Sequence, residues 1–440
     1  MLLLLSLLGA AAANENGLAR TPPMGWRSWN LFGPNVNQAL MERIMEGMVS
    51  KKRRVDGVPT SLCDLGYCDV GLDDNWQLCG QYPTAVKGVN YTYHDPATGR
   101  PVVNESRFPS FARMTAKAHA LGLTAGWYGN NCLCADGHSD VPALYEGDVL
   151  ALLDYGFDSW KLDGCGKQRN LSRYDELIRK HSPDKAILVE NCHWGVVPPF
   201  APDPGEDFCP WNFYRTSQDV FANYASVMSN LNSTFQFADT NRSYPGCWAY
   251  PDMLEVGTAG GVHGSATDPG LDDAETRTHF AAWAIVSSPL TLSHDVWNDT
   301  IVDRIWPVIA NRDAIRVNQA YVGHSGSRFF ASAATVALPN PRRDYPRQPA
   351  FVVVPEAQYL YKRVSDTETA VLLVNSKDEA ATLVLAFADV PDLPCAEHCY
   401  VRQIFAKTDA GLRAASYTTT LRPHDVAFLL LSLDPPTRAS

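Results

Sequence analysis

The chain has 440 residues, 45% hydrophobic and 19% charged, which excludes a disordered or fibrous polypeptide and exceeds what one small core needs. Its net charge of −11 speaks against nucleic acid, whose binding needs a basic face. One large domain followed by a smaller one fits this length.

In chain order, Met1–Ala13 is an uncharged leucine run followed by alanines, the pattern of a signal peptide over residues 1–13. The run is too short to cross a bilayer, and no later apolar run approaches spanning length. No membrane association is therefore expected, and the destination is secretion or a lysosomal or vacuolar lumen. Sequons at Asn90, Asn104, Asn170, Asn232, Asn241 and Asn298 agree with that compartment. So do 11 cysteines, none in metal-like CxxC spacing. Cys395 and Cys399 have the spacing of a small closed ring, and the odd count leaves at least one thiol unpaired.

From about residue 20 to 320, apolar strands alternate with helical stretches. Strands are predicted at Cys68–Asp73, Leu123–Tyr128, Trp160–Asp163, Ala186–Glu190 and Ala284–Thr291, with helices at Ser110–Leu121 and Tyr174–His181. This alternation predicts a parallel α/β architecture: a (β/α)₈ barrel over 20–320, or a doubly wound sheet. No GxGxxG or Walker loop follows any strand, which weakens the nucleotide-binding rival. After Gln319 the runs Thr369–Asn375, Ala381–Phe387 and Val426–Leu431 predict a C-terminal antiparallel β-sandwich over 321–440. Pro339–Pro349, dense in Pro and Arg, is expected to be an exposed loop.

The segment Tyr155–Gly166 carries the strongest chemical signal. It reads as a buried strand ending in Asp163 at a glycine turn, with Lys161 on the same face. A cation there lowers the acid's pKa and suits Asp163 to nucleophilic work. Acids and aromatics recur at the other strand ends. Asp73 and Asp74 precede Trp76, Tyr128 follows Trp127, and Glu190 precedes His193 and Trp194. Arg215 and Asp219 share one segment, and Asp252 another. Acids accept hydroxyl hydrogen bonds and aromatics stack on a pyranose face, so this set fits a sugar site. Taken singly, Asp74 or Asp252 is as readily a helix N-cap.

Five motifs appear in a fixed order: Thr21–Asn30 (TPPMGWRSWN), Gly71–Trp76 (GLDDNW), Trp160–Cys165 (WKLDGC), Pro251–Leu254 (PDML) and His279–Ala284 (HFAAWA). With Asn311–Asp313 and Asn318–Gln319 they resemble glycoside hydrolase family 27, the α-galactosidases of clan D. The resemblance implies a (β/α)₈ barrel with a C-terminal β domain, Asp163 as nucleophile and Asp219 as acid/base. It implies substrate binding by Trp29, Asp73, Asp74, Tyr128, Lys161, His193, Trp194, Arg215 and Asp252. It also implies disulfides from Cys165 to Cys132 or Cys134, and from Cys192 to Cys209. The expected partner is a glycan or small glycoside, with a homodimer among the possible assemblies and no metal or organic cofactor required.

The sequence departs from the family pattern at His193, where Glu or Ser is usual, and at Ala249 and Tyr250, where Asn and Asp are common. Galactose is the first choice of sugar. An α-N-acetylgalactosaminidase and a β-L-arabinopyranosidase are rivals on the same site, though Val196 is large for an N-acetyl group. A catalytically silent sugar-binding protein would lack one of the two acids, and both are present.

Overall fold

The computed structural model describes residues 16–80, 92–137, 141–195, 209–240, 242–262, 269–342 and 348–435. The leader, Val196 and the sequons at Asn90 and Asn241 lie outside the described residues.

Eight parallel strands form one curled sheet: β1 (Met24–Arg27), β2 (Asp69–Gly71), β3 (Thr124–Gly129), β4 (Ser159–Asp163), β5 (Leu188–Cys192), β6 (Phe213–Arg215), β7 (Trp248–Tyr250) and β8 (Leu290–Leu292). Neighbours follow chain order, with β8 beside β1. The N–H of Leu254, just past β7, donates to the Thr291 carbonyl of β8 at 2.8 Å and draws the two ends together. This is the (β/α)₈ barrel and not the doubly wound sheet, whose strand order reverses midway.

Helices α1 (Gln38–Met48), α2 (Phe111–Ala120), α3 (Pro142–Asp154), α4 (Leu171–His181), α5 (Tyr224–Asn232), α6 (Asp273–Ile285), α7 (Asp299–Ile309) and α8 (Arg312–Gln319) surround the sheet. All but one of their starts are written in short polar side chains, the exception being α3, which begins at Val141 and Pro142. Asn37, Asn170, Asn223, Asn298 and Asn311 each accept a first-turn N–H, and Asp272 with Glu275 forms a capping box. Trp127 of β3 stacks on Phe157 and Trp160, with ring centres 5.6 and 5.8 Å apart.

One predicted strand is wrong in its first half. Ala284 and Ile285 belong to α6, and only Leu290–Leu292 are strand. The run Phe280–Ile285 is buried throughout because α6 lies between the barrel and the second domain, and an all-apolar run carries no period to tell helix from strand.

The C-terminal domain is antiparallel. Its main sheet has the order β9-β12-β13-β18-β15-β16, from β9 (Ser327–Ala331), β12 (Ala357–Arg363), β13 (Glu368–Asn375), β15 (His398–Gln403), β16 (Thr408–Ala414) and β18 (Val426–Ser432). A hairpin of β10 (Thr335–Pro339) and β11 (Phe351–Pro355) and a pair of β14 (Ala381–Ala386) and β17 (Ser416–Leu421) complete it. Alternation along β13 builds two cores: Val371 and Leu373 pack with Leu385 and Phe387, whereas Ala370, Leu372 and Val374 join the barrel's core. Arg277 pairs with Asp425, Arg316 with Glu368, and the buried Lys362 Nζ caps α8 by donating to the Val317 and Asn318 carbonyls. Among its described residues the predicted exposed loop Pro339–Pro349 is corrected at two: Asn340 is buried with its amide donating to the Pro349 carbonyl, and Arg342 is buried against α5 by hydrogen bonds to Ser226 and Asn230.

Above β2 and β3 the loops are fastened by a fully buried histidine. His94 bonds Asp136 through Nδ1 and Asp148 of α3 through Nε2 at 2.8 Å, while Tyr174 of α4 donates to Asp148 at 2.9 Å. Burial alone would lower its pKa, but the two carboxylates outweigh that and raise it to about 9. The folded state therefore holds this proton more tightly than the unfolded one. The stabilisation is full below 6.5 and fades as pH rises through about 9. His94→Gln is expected to cost about 3–5 kcal/mol in mildly acidic buffer, because two buried carboxylates lose their cation. The loss should shrink in buffers above pH ~9; thermal denaturation against pH measures both.

Candidate active site

The barrel interior is filled by charge. Arg27 at the end of β1 is 3% exposed and lies between Asp69 and Glu190, each at 3.4 Å. Its guanidinium occupies the space that side chains at Gly71 and Gly126 would take: a Cβ there would sit 1.6 and 2.4 Å from Nη1. Ser159 donates to Asp69 at 2.8 Å and completes this lower layer.

One step up, Lys161 of β4 donates to Asp73 at 2.8 Å, with both side chains almost wholly buried. Burial alone would lower the ammonium's pKa; Asp73 and the other acids around it hold it well above the usual lysine value. Asp163 ends the same strand and accepts from the Tyr128 hydroxyl at 2.7 Å and the Cys165 N–H at 3.3 Å. Its carbonyl accepts from Asn130, and a Cys132–Cys165 disulfide ties the β3 and β4 loops just beyond it.

The sequence-based expectation of a low pKa at Asp163 is corrected. Lys161 bonds Asp73 instead, and burial pushes Asp163 up to about 7, opposed by Lys161 and Tyr128 and reinforced by the negative charge of Asp219. Burial therefore favours the protonated form of Asp163 up to about pH 7.

Opposite it, Arg215 at the end of β6 spans two acids: its Nη2 lies 3.0 Å from Asp219 and 3.0 Å from Asp252. The Asp252 carboxylate accepts the N–H of Val220 at 2.8 Å, so it holds the residue that follows Asp219. Asp252 itself has a positive φ of 100°, and its carbonyl accepts from the Trp283 indole of α6. The Asp219 side chain is 39% exposed, in contrast to buried Asp163.

The expected Cys192–Cys209 disulfide is also corrected. Cys192 is a free, buried thiol at the C-terminal end of β5, 3.4 Å from Arg215, and Cys209 pairs with Cys247 just before β7. Neighbouring strands run parallel, so a cysteine that ends one and a cysteine that precedes the next lie at opposite ends of the barrel.

Not every predicted residue converges on Asp163. The Asp74 carboxylate is taken up by four donors, from Asn75, Gln77, Cys132 and Leu133, which makes it the anchor of the β3 loop. Trp29 lies half-buried on a helical turn, against a cluster around Trp248, Tyr250 and Met253. His193 and Trp194 follow β5, and the Trp194 ring packs so closely on Gly164 that a Cβ there would meet it at 3.0 Å. His193 is 4% exposed, and neither ring nitrogen makes a well-formed hydrogen bond. Burial, helped by Arg169, lowers its pKa to about 4 against a weak opposing pull from the Asp163 main chain, so the imidazole is neutral above that.

The site prediction omitted Arg27, Asn130 and Cys192, and it noted Glu190 at its strand end without giving it a role. Period-two spacing from Gly25 and from Leu188 would have pointed Arg27, Glu190 and Cys192 inward; Asn130, one residue past β3, has no such signal. Among the described residues, Cys132, Asp163 and Cys165 are the one group with metal-like spacing, and its two sulfurs are joined in the disulfide.

Comparison with known proteins places the chain. A family profile described as alpha galactosidase A matches residues 21–320, and one for the alpha galactosidase C-terminal beta sandwich domain matches 355–431. The chain belongs to the α-galactosidase family of glycosidases. It is 30% identical to an α-galactosidase of Oryza sativa subsp. japonica over 72% of this chain and 67% of that one. It is 29% identical to an α-N-acetylgalactosaminidase of Gallus gallus over 74% and 76%. Some longer fungal relatives are spanned over only 58% of their length. The fold matches the crystal structure of α-galactosidase I from Mortierella vinacea with a TM-score of 0.74 at 24% identity, covering 97% of this chain and 100% of that one.

Two outcomes test the buried charges. Lys161→Met should cost about 3–5 kcal/mol by stranding Asp73, and Lys161→Met with Asp73→Leu should recover much of it in chemical denaturation. Asp163→Asn should behave oppositely. Because the folded-state pKa of Asp163 is raised, its own contribution to stability is full below the unfolded value of 3.8 and is lost as pH rises through about 7. The variant escapes that fall and should gain about 2–4 kcal/mol in buffers above neutrality, and nothing in strong acid.

Proposed function

We propose that this chain is a retaining, exo-acting α-galactosidase with Asp163 as nucleophile and Asp219 as acid/base. The observation that carries the reading is the contrast between two neighbouring acids at one end of the barrel. Asp163 is buried and aimed by Tyr128, whereas Asp219 is 39% exposed, set on Arg215, and close enough to raise the pKa of Asp163. Retaining glycosidases divide the work between such a pair.

In the reactive form the proton sits on Asp219 and Asp163 is anionic. Asp163 attacks the anomeric carbon as the bond to the aglycone oxygen breaks, and the Asp219 proton goes to that oxygen. The product is a glycosyl ester of Asp163. Asp219, now anionic, takes a proton from water; the water oxygen bonds the anomeric carbon and the ester breaks. Two displacements return the original α configuration. Positive charge developing on the sugar ring stabilises Asp163 as an anion, which offsets the desolvation that raises its pKa. In this reading Lys161 and Asp73, now bonded to each other, take the ring's outer hydroxyls. The neutral His193 ring, with nitrogens free of well-formed hydrogen bonds, suits a 2-hydroxyl and supports galactose first; the chicken relative's name keeps N-acetylgalactosamine as the rival. Five disulfides support a secreted or luminal setting.

The test is hydrolysis of p-nitrophenyl α-galactoside, α-N-acetylgalactosaminide and β-L-arabinopyranoside, with Asp163→Ala as control. Galactoside turnover should dominate and fall by roughly 10⁴-fold or more in the variant. The first sugar released should be the α-anomer by NMR. Release of the β-anomer would overturn the double displacement, and sugar binding without turnover would point to a silent binding protein.

A further inference from the structure

The C-terminal domain touches the barrel at a place that bears on Asp219. Arg342, beyond β10, is 6% exposed and reaches across to α5. Its Nη2 donates to Ser226 Oγ at 2.7 Å and to Asn230 Oδ1 at 2.5 Å, and its guanidinium lies 5.7 Å from the Phe221 ring.

Both acceptors are committed elsewhere by the same contact. With Oδ1 engaged by Arg342, the Asn230 amide can present only Nδ2 on its other side. There it donates to the Gln218 carbonyl at 3.0 Å and the Pro251 carbonyl at 2.7 Å. The Ser226 oxygen accepts the N–H of Phe221 at 2.9 Å. Gln218 and Phe221 bracket Asp219, and Pro251 precedes Asp252, which binds Val220. A guanidinium is suited to this role because it only donates: an acceptor in its place would allow the Asn230 amide to turn and set its oxygen against two carbonyls.

We infer that Arg342, supplied by the β domain, is a positioning residue for Asp219; the inference rests on reading Asp219 as the acid/base. It acts through the orientation of Asn230 and Ser226 and touches no substrate. A residue that merely glued the domains together would affect all substrates alike. A residue that aims the acid affects those whose leaving group needs a proton.

The test is kcat/KM on methyl α-galactoside, whose leaving group is basic, against dinitrophenyl α-galactoside, whose leaving group departs unprotonated. Arg342→Gln should lose roughly 10- to 100-fold on the methyl glycoside, mostly in kcat, and less than about threefold on the activated one. Asn230→Ala should follow the same pattern without altering the β domain. Arg316→Gln, which breaks another contact between the domains, should leave the ratio of the two substrates unchanged. If Arg342→Gln does not fold, Arg342→Lys, which keeps the charge but loses the planar fork, takes its place. Equal losses on both substrates, or none, would overturn the inference. Asp219→Ala separates the two readings. If it shows leaving-group dependence and Arg342→Gln does not, only the positioning role fails. If Asp219→Ala shows none, the acid/base assignment fails as well.

Discussion

Lys161 and Asp73 form an ion pair where barrels of this kind ordinarily pack branched aliphatic side chains, and much of the site is arranged around it. Arg27 lies below with Asp69 and Glu190, and Arg215 lies across with Asp219 and Asp252. Such an interior contributes little net stability, since desolvation cancels much of the Coulombic attraction. What it provides is a fixed field of both signs at the barrel's C-terminal end. A carboxyl placed there, as Asp163 is, has its protonation set by burial against the charges of Lys161, Asp219 and Asp73.

This distribution explains which parts of the molecule were legible in the sequence. The strand carrying Lys161 and Asp163 was legible because period two puts both residues on one face, and the β-rich end because Thr369–Asn375 and Val426–Leu431 are long and branched. The Phe280–Ile285 run was not, because burial on every side erases periodicity. Partnerships were less legible than positions. Lys161 was assigned to the acid two residues away, but in a barrel the inward neighbour on another strand is equally near, and Asp73 holds the ammonium. Asp74 is implied as a sugar ligand by the resemblance of its GLDDNW motif, and the structure engages its oxygens with four donors from the surrounding loops. The Cys192–Cys209 pairing failed similarly, since sequence distance does not reveal which end of the barrel a residue occupies.

The second domain is joined to the first by more than surface contact. Alternate residues of β13 belong to two cores, and Lys362 lies in the joint with main-chain carbonyls of α8 as its partners. The two parts therefore resemble one cooperative body more than beads on a linker. Burial of a lysine against carbonyls alone pushes its pKa well down, so the joint tolerates a polar group without requiring a full charge.

The packing of Arg27 over Gly71 and Gly126 has an evolutionary consequence. An alanine at either glycine collides with the guanidinium, while a small residue at position 27 leaves a void beside two residues with no side chain to fill it. Positions 27, 71 and 126 are therefore epistatic. Bulk at either glycine must displace the guanidinium, and at Gly126 it also meets Ser159 Oγ at 2.6 Å and the Gly71 Cα at 2.9 Å, so losing the arginine alone does not open both positions.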